Sequence, residues 1–217
     1  EATFPCKTGK NEGDKQARGD HRTPEGIYFL QSKLSRNDIE RRVGKANAYQ
    51  YGEIAFTTDF PNRIDQLKGK DGGGIWLHGT DEPFKSTPSL DTRGCVVTTN
   101  ETIRKLTRYI ELDKTPLIIV DKLVVRPQEE IEKERQSLLA MIENWRSSWS
   151  EKRIDNYILH YSTSFSSQGL NREQWKARKE GIAKINGNIR IDLDHISIFK
   201  QKDGMVVRFV QDYSADN

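Results

Sequence analysis

One histidine and one cysteine stand out in this 217-residue sequence as candidates for chemistry. They are His78 and Cys95, and both lie in the stretch 72–100, GGGIWLHGTDEPFKSTPSLDTRGCVVTTN. Each is adjacent to a glycine and to an apolar run that is typical of a β-strand. A thiol attacks a carbonyl carbon as the thiolate, and a nearby imidazole can take up its proton. The pair therefore suggests nucleophilic catalysis by a cysteine.

The neighbours of the two residues favour the same chemistry. Gly94 allows close backbone approach, and the N–H groups of Gly94 and Cys95 could both point at an oxyanion. The positive charge of Arg93 would lower the pKa of the thiol or hold a substrate carboxylate. Gly79 and Thr80 follow the histidine in a flexible segment, where Thr80 is a candidate for substrate binding. The alternative is an inert buried cysteine at a strand start and a core histidine whose nitrogens are both satisfied.

The composition narrows the classes of function. Lys and Arg exceed Asp and Glu by only three, and the charges are interspersed, so no basic stripe indicates a nucleic-acid binder. The longest apolar runs are far shorter than the roughly 18–20 residues of a membrane span. Two cysteines are too few for a disulfide framework, and a Cys6–Cys95 bridge would silence the candidate nucleophile. The four histidines and two cysteines show no metal-ligand spacing, so no metal site is predicted.

The first 125 residues are predicted to be mainly β-structure with small helices. Glycine-rich, charged residues 6–24 predict a long loop. Strands are predicted at 27–30, 54–56, 75–77, 95–97 and 117–120, with 123–125 continuing or pairing with the last one. Short helices are predicted at 37–43, with Asn37 as N-cap, and behind the capping box Thr98-x-x-Glu101. The strand at 75–77 would place His78 at its end.

The composition changes at Arg126-Pro127, and the rest of the chain predicts an α+β unit. A long helix is predicted from Glu129, because six apolar residues lie on one helical face: Ile131, Leu138, Leu139, Ile142, Trp145 and Trp149. Further helices are predicted at 155–161 and around Trp175 and Ile182. The apolar alternation from Ile189 then shifts phase, which predicts a β-bulge near Asp194-His195. Asp203-Gly204 is predicted to turn the chain into an antiparallel strand at 205–210.

Several of these motifs together resemble the L,D-transpeptidase catalytic domain (YkuD-like) family. The resemblance rests on His78-Gly79, on Thr92-Arg93-Gly94-Cys95-Val96, and on two upstream elements, Thr8-Gly9-Lys10 and the loop 19–26 with its Thr-Pro-x-Gly. It covers roughly residues 3–125. The sequence departs from the family's common form at Arg93, where many members carry histidine. The resemblance implies a β-sandwich catalytic domain over residues 1–126 that needs no cofactor.

The resemblance also implies roles for the site residues. Cys95 would be the nucleophile, His78 its base, and the backbone carbonyl of Gly79 the group that orients the imidazole. The amides of Gly94 and Cys95 would form the oxyanion hole, and Arg93 would act on the substrate or the thiolate. The implied substrate is a peptidoglycan stem tetrapeptide, which is attacked at the carbonyl of its third residue so that D-Ala leaves. With water as acceptor the enzyme is a carboxypeptidase, and with a second stem's amine it forms a cross-link.

Residues 129–217 resemble an NTF2-like domain. The motif is Trp145-x-x-x-Trp149 followed by Asp155, Tyr157, Tyr161 and Phe165 at helical spacing. Such a domain follows the catalytic one in the cell-shape L,D-carboxypeptidases of helical and curved Gram-negative bacteria. This branch implies trimming of the cell wall in the periplasm, with cross-linking and a non-catalytic wall-binding module as alternatives. Further strands are expected beyond both ends of the chain. A homodimer could form through residues outside it.

Overall fold

The computed structural model describes residues 2–84, 89–202 and 204–216. The chain divides into two compact units, Glu1–Leu123 and Val124–Asn217. Within the described residues, no helix is both long enough and apolar enough to cross a membrane. The first unit is a curled mixed sheet with small helices, and the second combines helices with a long β-hairpin, as the sequence predicts.

The first unit is built on a seven-stranded sheet in the order β5-β1-β6-β4-β3-β2-β7. Its strands are β1 Lys7–Gly9, β2 Gly26–Ser35, β3 Ile54–Thr58, β4 Trp76–His78, β5 Ser89–Thr92, β6 Val96–Val97 and β7 Pro116–Ile119. β4 and β6 are parallel neighbours, as are β1 and β5, whereas the other neighbouring strands are antiparallel. The sheet thus brings the strand that ends at His78 beside the strand that follows Cys95.

Four short helices accompany this sheet. They are α1 Arg36–Val43, a 3-10 helix at Lys45–Tyr51, α2 Arg63–Leu67 and α3 Asn100–Thr107. Ile103 of α3 packs into one buried cluster with Leu77 and Val96. A second cluster, which contains Ile39 of α1 and Ala48 of the 3-10 helix, has Trp76 packed against it. Since neighbouring residues of a strand point to opposite faces, the two clusters lie on opposite sides of β4.

Four local predictions for the first 125 residues are wrong in detail. The N-cap of α1 is Ser35 and not Asn37, because Ser35 forms a reciprocal capping box with Asp38. The N-cap of α3 is Thr99, whose side chain accepts from the N–H of Thr102. Residues 123–125 form no strand and are exposed. The predicted loop at 6–24 also contains the short strand β1. The sequence also predicts an irregular loop at 79–88, of which 85–88 lie outside the described residues.

The second unit is a long helix, two shorter helices and a hairpin. The elements are α4 Gln128–Ser150, α5 Ile154–Ile158, β8 Ser166–Ser167, β9 Leu170–Asn171, α6 Arg172–Ile185, β10 Ile189–Gln201 and β11 Gly204–Ala215. Their core contains Trp149, Tyr157 and Ile191, with Trp145 and Trp175 packed against it. Full burial of an aliphatic side chain of this kind stabilises the folded state by roughly 1.5–3 kcal/mol. The aromatic side chains bury a larger area each.

The predicted bulge in β10 is confirmed. The pairing of β10 with β11 shifts register between Asp194 and Ser197, and His195 has a φ of 54°. Ile191, which precedes the bulge, is buried in the core. The predicted turn includes Asp203, which lies outside the described residues, and the strand after it runs to Ala215.

Candidate active site

The site begins with the register of β4 and β6. Leu77 is opposite Val96, and His78 is opposite Val97. Cys95 directly precedes β6, so the parallel pairing of β4 and β6 places His78 and Cys95 on neighbouring segments of the sheet. If the alternation of β6 is extended back from Val97, Cys95 falls on the His78 face, with about 8 Å between the two Cα atoms.

His78 is held in a defined tautomer. Its Nδ1 lies 2.6 Å from the carbonyl oxygen of Gly79, so Nδ1 carries the proton and donates it. The side chain is buried, and burial lowers the pKa of His78 to about 4, although the hydrogen bond to Gly79 opposes this shift. At neutral pH the imidazole is therefore uncharged, with its Nε2 lone pair available to accept a proton. The carbonyl of Gly79 occupies the place that a carboxylate occupies in many catalytic triads.

The thiol of Cys95 is half-buried and protonated at rest. Burial raises the pKa of Cys95 above its usual value, while the backbone N–H of Trp76 and the charges of Arg93 and Lys15 offset this only in part. The sulfur donates to the carbonyl oxygen of Gly74 at 3.5 Å. The sequence predicts that the charge of Arg93 lowers the pKa of the thiol, and the structure differs because desolvation outweighs this charge. Cys6, the other cysteine, is also a free thiol.

Two threonines fix the backbone at Cys95. Thr92 Oγ1 accepts from the N–H of Gly94 at 3.0 Å and donates to the carbonyl oxygen of Cys95 at 2.8 Å. Thr23, from the early loop, donates to the carbonyl oxygen of Gly94 at 3.0 Å. Gly94 has a φ of +128°, and a Cβ there would lie 2.6 Å from the backbone oxygen of Arg22. The Thr-Pro-x-Gly element and the Thr-x-Gly-Cys element therefore support each other across the sheet.

The remaining predicted site residues are in different settings. The N–H of Gly94 already has Thr92 as its partner, so the Cys95 amide is the better candidate for the oxyanion hole. Arg93 is exposed, and its Nη2 lies 3.5 Å from the hydroxyl of Tyr51. Thr80 is buried, and its hydroxyl accepts from the N–H of Glu82, which is a structural role within the turn. Thr80 is therefore not proposed as a substrate ligand.

Sequence reasoning missed Tyr51. Its ring lies 4.7 Å from the His78 ring and 5.2 Å from the Trp76 ring, measured between centroids. Tyr51 ends the 3-10 helix, which no periodic pattern predicts. The ring covers the imidazole on the face opposite the α3 side of the sheet, and its hydroxyl reaches Arg93. Among the described residues, no group of three or more His, Cys, Asp or Glu side chains could hold a metal ion.

Two known protein families match different parts of the chain. Residues 1–119, more than half of the chain, match the L,D-transpeptidase catalytic domain (YkuD). The chain belongs to this family. Residues 137–217 match the Cds6 C-terminal NTF2-like domain. The paired His78-Gly79 and Thr92–Cys95 motifs and the α+β second unit thus have the family context that the sequence predicts.

Individual relatives agree with this assignment. The chain is similar to Bd1075 of Bdellovibrio bacteriovorus, with 36% identity and a TM-score of 0.79 over 98% of this chain and 72% of the other. It is also similar to the helical cell shape determining protein Pgp2 of Campylobacter jejuni, with 25% identity and a TM-score of 0.68 over 97% of this chain and 76% of the other. A curated relative, named "Putative L,D-transpeptidase YafK" in Escherichia coli (strain K12), is 29% identical over 105 residues. That match covers 48% of this chain and only 35% of the relative.

Proposed function

We propose that this protein is a cysteine-dependent L,D-carboxypeptidase that removes the terminal D-Ala from peptidoglycan stem tetrapeptides. The observation that carries the proposal is the hydrogen bond from His78 Nδ1 to the Gly79 carbonyl, at 2.6 Å, in a histidine whose strand is the parallel neighbour of the strand that Cys95 precedes. This hydrogen bond leaves a neutral Nε2 lone pair free to accept a proton, as general-base activation of a thiol requires.

In the proposed reaction, His78 Nε2 takes the thiol proton as Cys95 Sγ attacks the carbonyl carbon of the third stem residue. The negative oxygen of the tetrahedral intermediate is stabilised by the Cys95 N–H. The C–N bond then breaks, and the imidazolium returns its proton to the departing amine of D-Ala. A water molecule, deprotonated by the same imidazole, hydrolyses the thioester, so the products are a tripeptide stem and D-Ala.

Arg93 is proposed to bind the free carboxylate of the terminal D-Ala. Its guanidinium is exposed, it lies close enough to the sulfur to lower the pKa of Cys95, and it contacts Tyr51. A planar guanidinium suits a carboxylate because it can donate two parallel hydrogen bonds. An Arg93→Lys variant should therefore bind the tetrapeptide more weakly and raise KM, and the loss should disappear for a substrate whose terminal carboxylate is amidated.

The same site could pass the acyl group to a second stem, and the alternative is therefore an L,D-transpeptidase. The name of the Escherichia coli relative favours this alternative, whereas the similarity to a cell shape determining protein favours trimming. From the same similarity to cell-wall proteins of the family, we propose that the protein acts in the periplasm of a Gram-negative bacterium. The second alternative is a wall-binding module without catalysis.

Digestion of purified muropeptides decides among these functions. Disaccharide tetrapeptides are incubated with the protein and with its Cys95→Ser variant, and the products are separated and weighed. We expect tripeptides and free D-Ala from the wild-type protein and neither product from the variant. Cross-linked dimers as the main product would replace trimming by transpeptidation. Unchanged tetrapeptides with both proteins would support the binding module.

A further inference from the structure

Three side chains that sequence analysis did not select converge on the turn after β4. They are Arg36 at the start of α1, Asp81 in the turn, and Asn100 at the start of α3. Arg36 Nη1 donates to Asp81 Oδ2 at 2.6 Å, and Asn100 Nδ2 donates to Asp81 Oδ1 at 2.8 Å. Both oxygens of the Asp81 carboxylate are thus used, and three elements far apart in sequence are joined at one point two residues after Gly79.

Asn100 lies directly against the peptide that orients His78. A Cβ on Gly79 would be only 2.3 Å from Asn100 Oδ1, so this side chain fills the space beside Gly79. The same oxygen accepts from the N–H of Glu53 at 3.1 Å, and the N–H of Gly79 donates to Ile54 at 3.2 Å. The Gly79 carbonyl therefore has little freedom to rotate away from the imidazole while Asn100 is in place.

The same ion pair anchors the 3-10 helix that ends at Tyr51. Arg36 Nη1 also donates to the carbonyl oxygens of Gly52 at 3.0 Å and Ala48 at 3.4 Å. The backbone N–H of Asp81 donates to the carbonyl oxygen of Tyr49 at 2.9 Å. Tyr51 lies on the His78 ring. One cluster thus holds the hydrogen-bond acceptor of the imidazole and the aromatic ring that packs against it.

We propose that Arg36, Asp81 and Asn100 are positioning residues for His78, which fix its tautomer through the Gly79 carbonyl and its ring orientation through Tyr51. The inference rests on the proposed role of His78 as the base. None of the three needs to touch the substrate. In catalytic triads, a group that orients the histidine keeps one imidazole nitrogen protonated and the other free. The cluster of Arg36, Asp81 and Asn100 has the same effect on His78, through Gly79 and Tyr51.

A purely stabilising role is the competing explanation, and exposure argues against it. The side chains of Arg36 and Asp81 are 37% and 36% exposed, and ion pairs at such positions contribute little to stability. The pKa of Asp81 is nevertheless below its usual value: burial alone would raise it, but the hydrogen bonds from Arg36 and Asn100 prevail. We therefore expect the ion pair to affect the position of His78 more than the stability of the fold. Small displacements of a catalytic group can lower the reaction rate by a factor of about 100.

The test is the Asp81→Asn variant, which keeps the size of the side chain but replaces one acceptor by a donor that faces Arg36 or Asn100. The control is Glu101→Gln, which removes an exposed ion pair with Lys105 on α3, the helix that carries Asn100. We expect Asp81→Asn to lower kcat for tetrapeptide trimming about 10- to 100-fold with little change in KM. The control variant should keep the wild-type kcat.

Nitrogen-15 NMR of the His78 imidazole provides a readout that needs no substrate. The wild-type protein should show the Nδ1-protonated tautomer, and Asp81→Asn should show a mixture of the two tautomers. If Asp81→Asn does not fold, Arg36→Lys replaces it, since lysine keeps the charge but cannot reach Asp81, Ala48 and Gly52 together. A wild-type tautomer in a folded variant would overturn the inference. Failure of the wild-type protein to trim any stem would instead refute the proposed function, while the NMR result would still stand.

Discussion

The burial of a neutral His78 makes the stability of the first unit depend on pH in a calculable way. The pKa of His78 falls from an ordinary value of 6.5 to about 4 in the folded protein, because burial disfavours the imidazolium. The unfolded chain therefore binds a proton between these two values, and the folded protein does not. Stability from this source is fully present above about pH 6.5 and is lost as the pH falls towards 4. At about 1.36 kcal/mol per pKa unit, the loss is about 3 kcal/mol at pH 4.

The His78→Asn variant isolates this contribution. Asparagine can place its Nδ2 where Nδ1 of the imidazole lies, so the bond to the Gly79 carbonyl is retained while the titration is removed. Carboxylates with lowered pKa values, such as Asp20 and Asp81, also destabilise the acid-treated protein, but they do so equally in both proteins. The free energy of unfolding of the wild-type protein should thus fall by about 3 kcal/mol more than that of the variant between pH 7 and pH 4.

The assay must report on the first unit alone, because three of the four tryptophans lie in the second unit. Urea denaturation read by hydrogen–deuterium exchange mass spectrometry of peptides from β2 and β3 meets this need. A His21→Asn variant shows what the loss of an imidazole elsewhere in the unit does, at a position whose left-handed backbone accepts asparagine. Wild-type and His78→Asn curves that run parallel from pH 7 to pH 4 would refute a buried neutral His78.

Two further predictions concern the loop that carries the thiol. In a Cys6→Ser background, the rate of alkylation of Cys95 by iodoacetamide should rise about tenfold per pH unit from pH 7 to pH 9, because burial raises the pKa of the thiol. A rate that no longer changes with pH above a value below pH 7 would contradict a protonated resting thiol. Gly94→Ala should lower the unfolding free energy by more than Gly13→Ala, since both residues have positive φ but only the first adds a clash, at 2.6 Å from Arg22. Urea denaturation measures the unfolding free energy of both variants. An equal decrease in the two variants would show that the clash at Gly94 does not affect stability.

The candidate site residues could be selected from the sequence because their signals are local. His78-Gly79 follows one short apolar run, Gly94-Cys95 comes directly before another, and the parallel pairing of β4 and β6 makes the two segments neighbours. The bulge near His195 was also predictable, since alternation along a strand is strict and any change of phase requires an extra residue. The family resemblance supplied the role of the Gly79 carbonyl, and the geometry fits that role.

The parts that escaped prediction depend on contacts between distant segments. Arg36 and Asp81 are 45 positions apart, so no spacing rule connects them. Tyr51 meets His78 only because a 3-10 helix between two glycines turns its ring over the sheet. Thr98 and Thr99 both satisfy the chemical requirement for an N-cap, and the backbone entry into α3 selects Thr99. The raised pKa of Cys95 likewise depends on burial, which no neighbouring residue in the sequence reveals.

Intact-protein mass spectrometry shows directly whether Cys95 forms a covalent bond to the stem peptide. The protein is mixed with purified tetrapeptide and quenched in acid within seconds, because thioesters survive low pH. We predict a species heavier than the free protein by the tripeptide acyl group, located on Cys95 by peptide mapping, and absent from Cys95→Ser. Release of D-Ala with no adduct at Cys95 at any time point, and with the same rate in Cys95→Ser, would contradict Cys95 as the nucleophile.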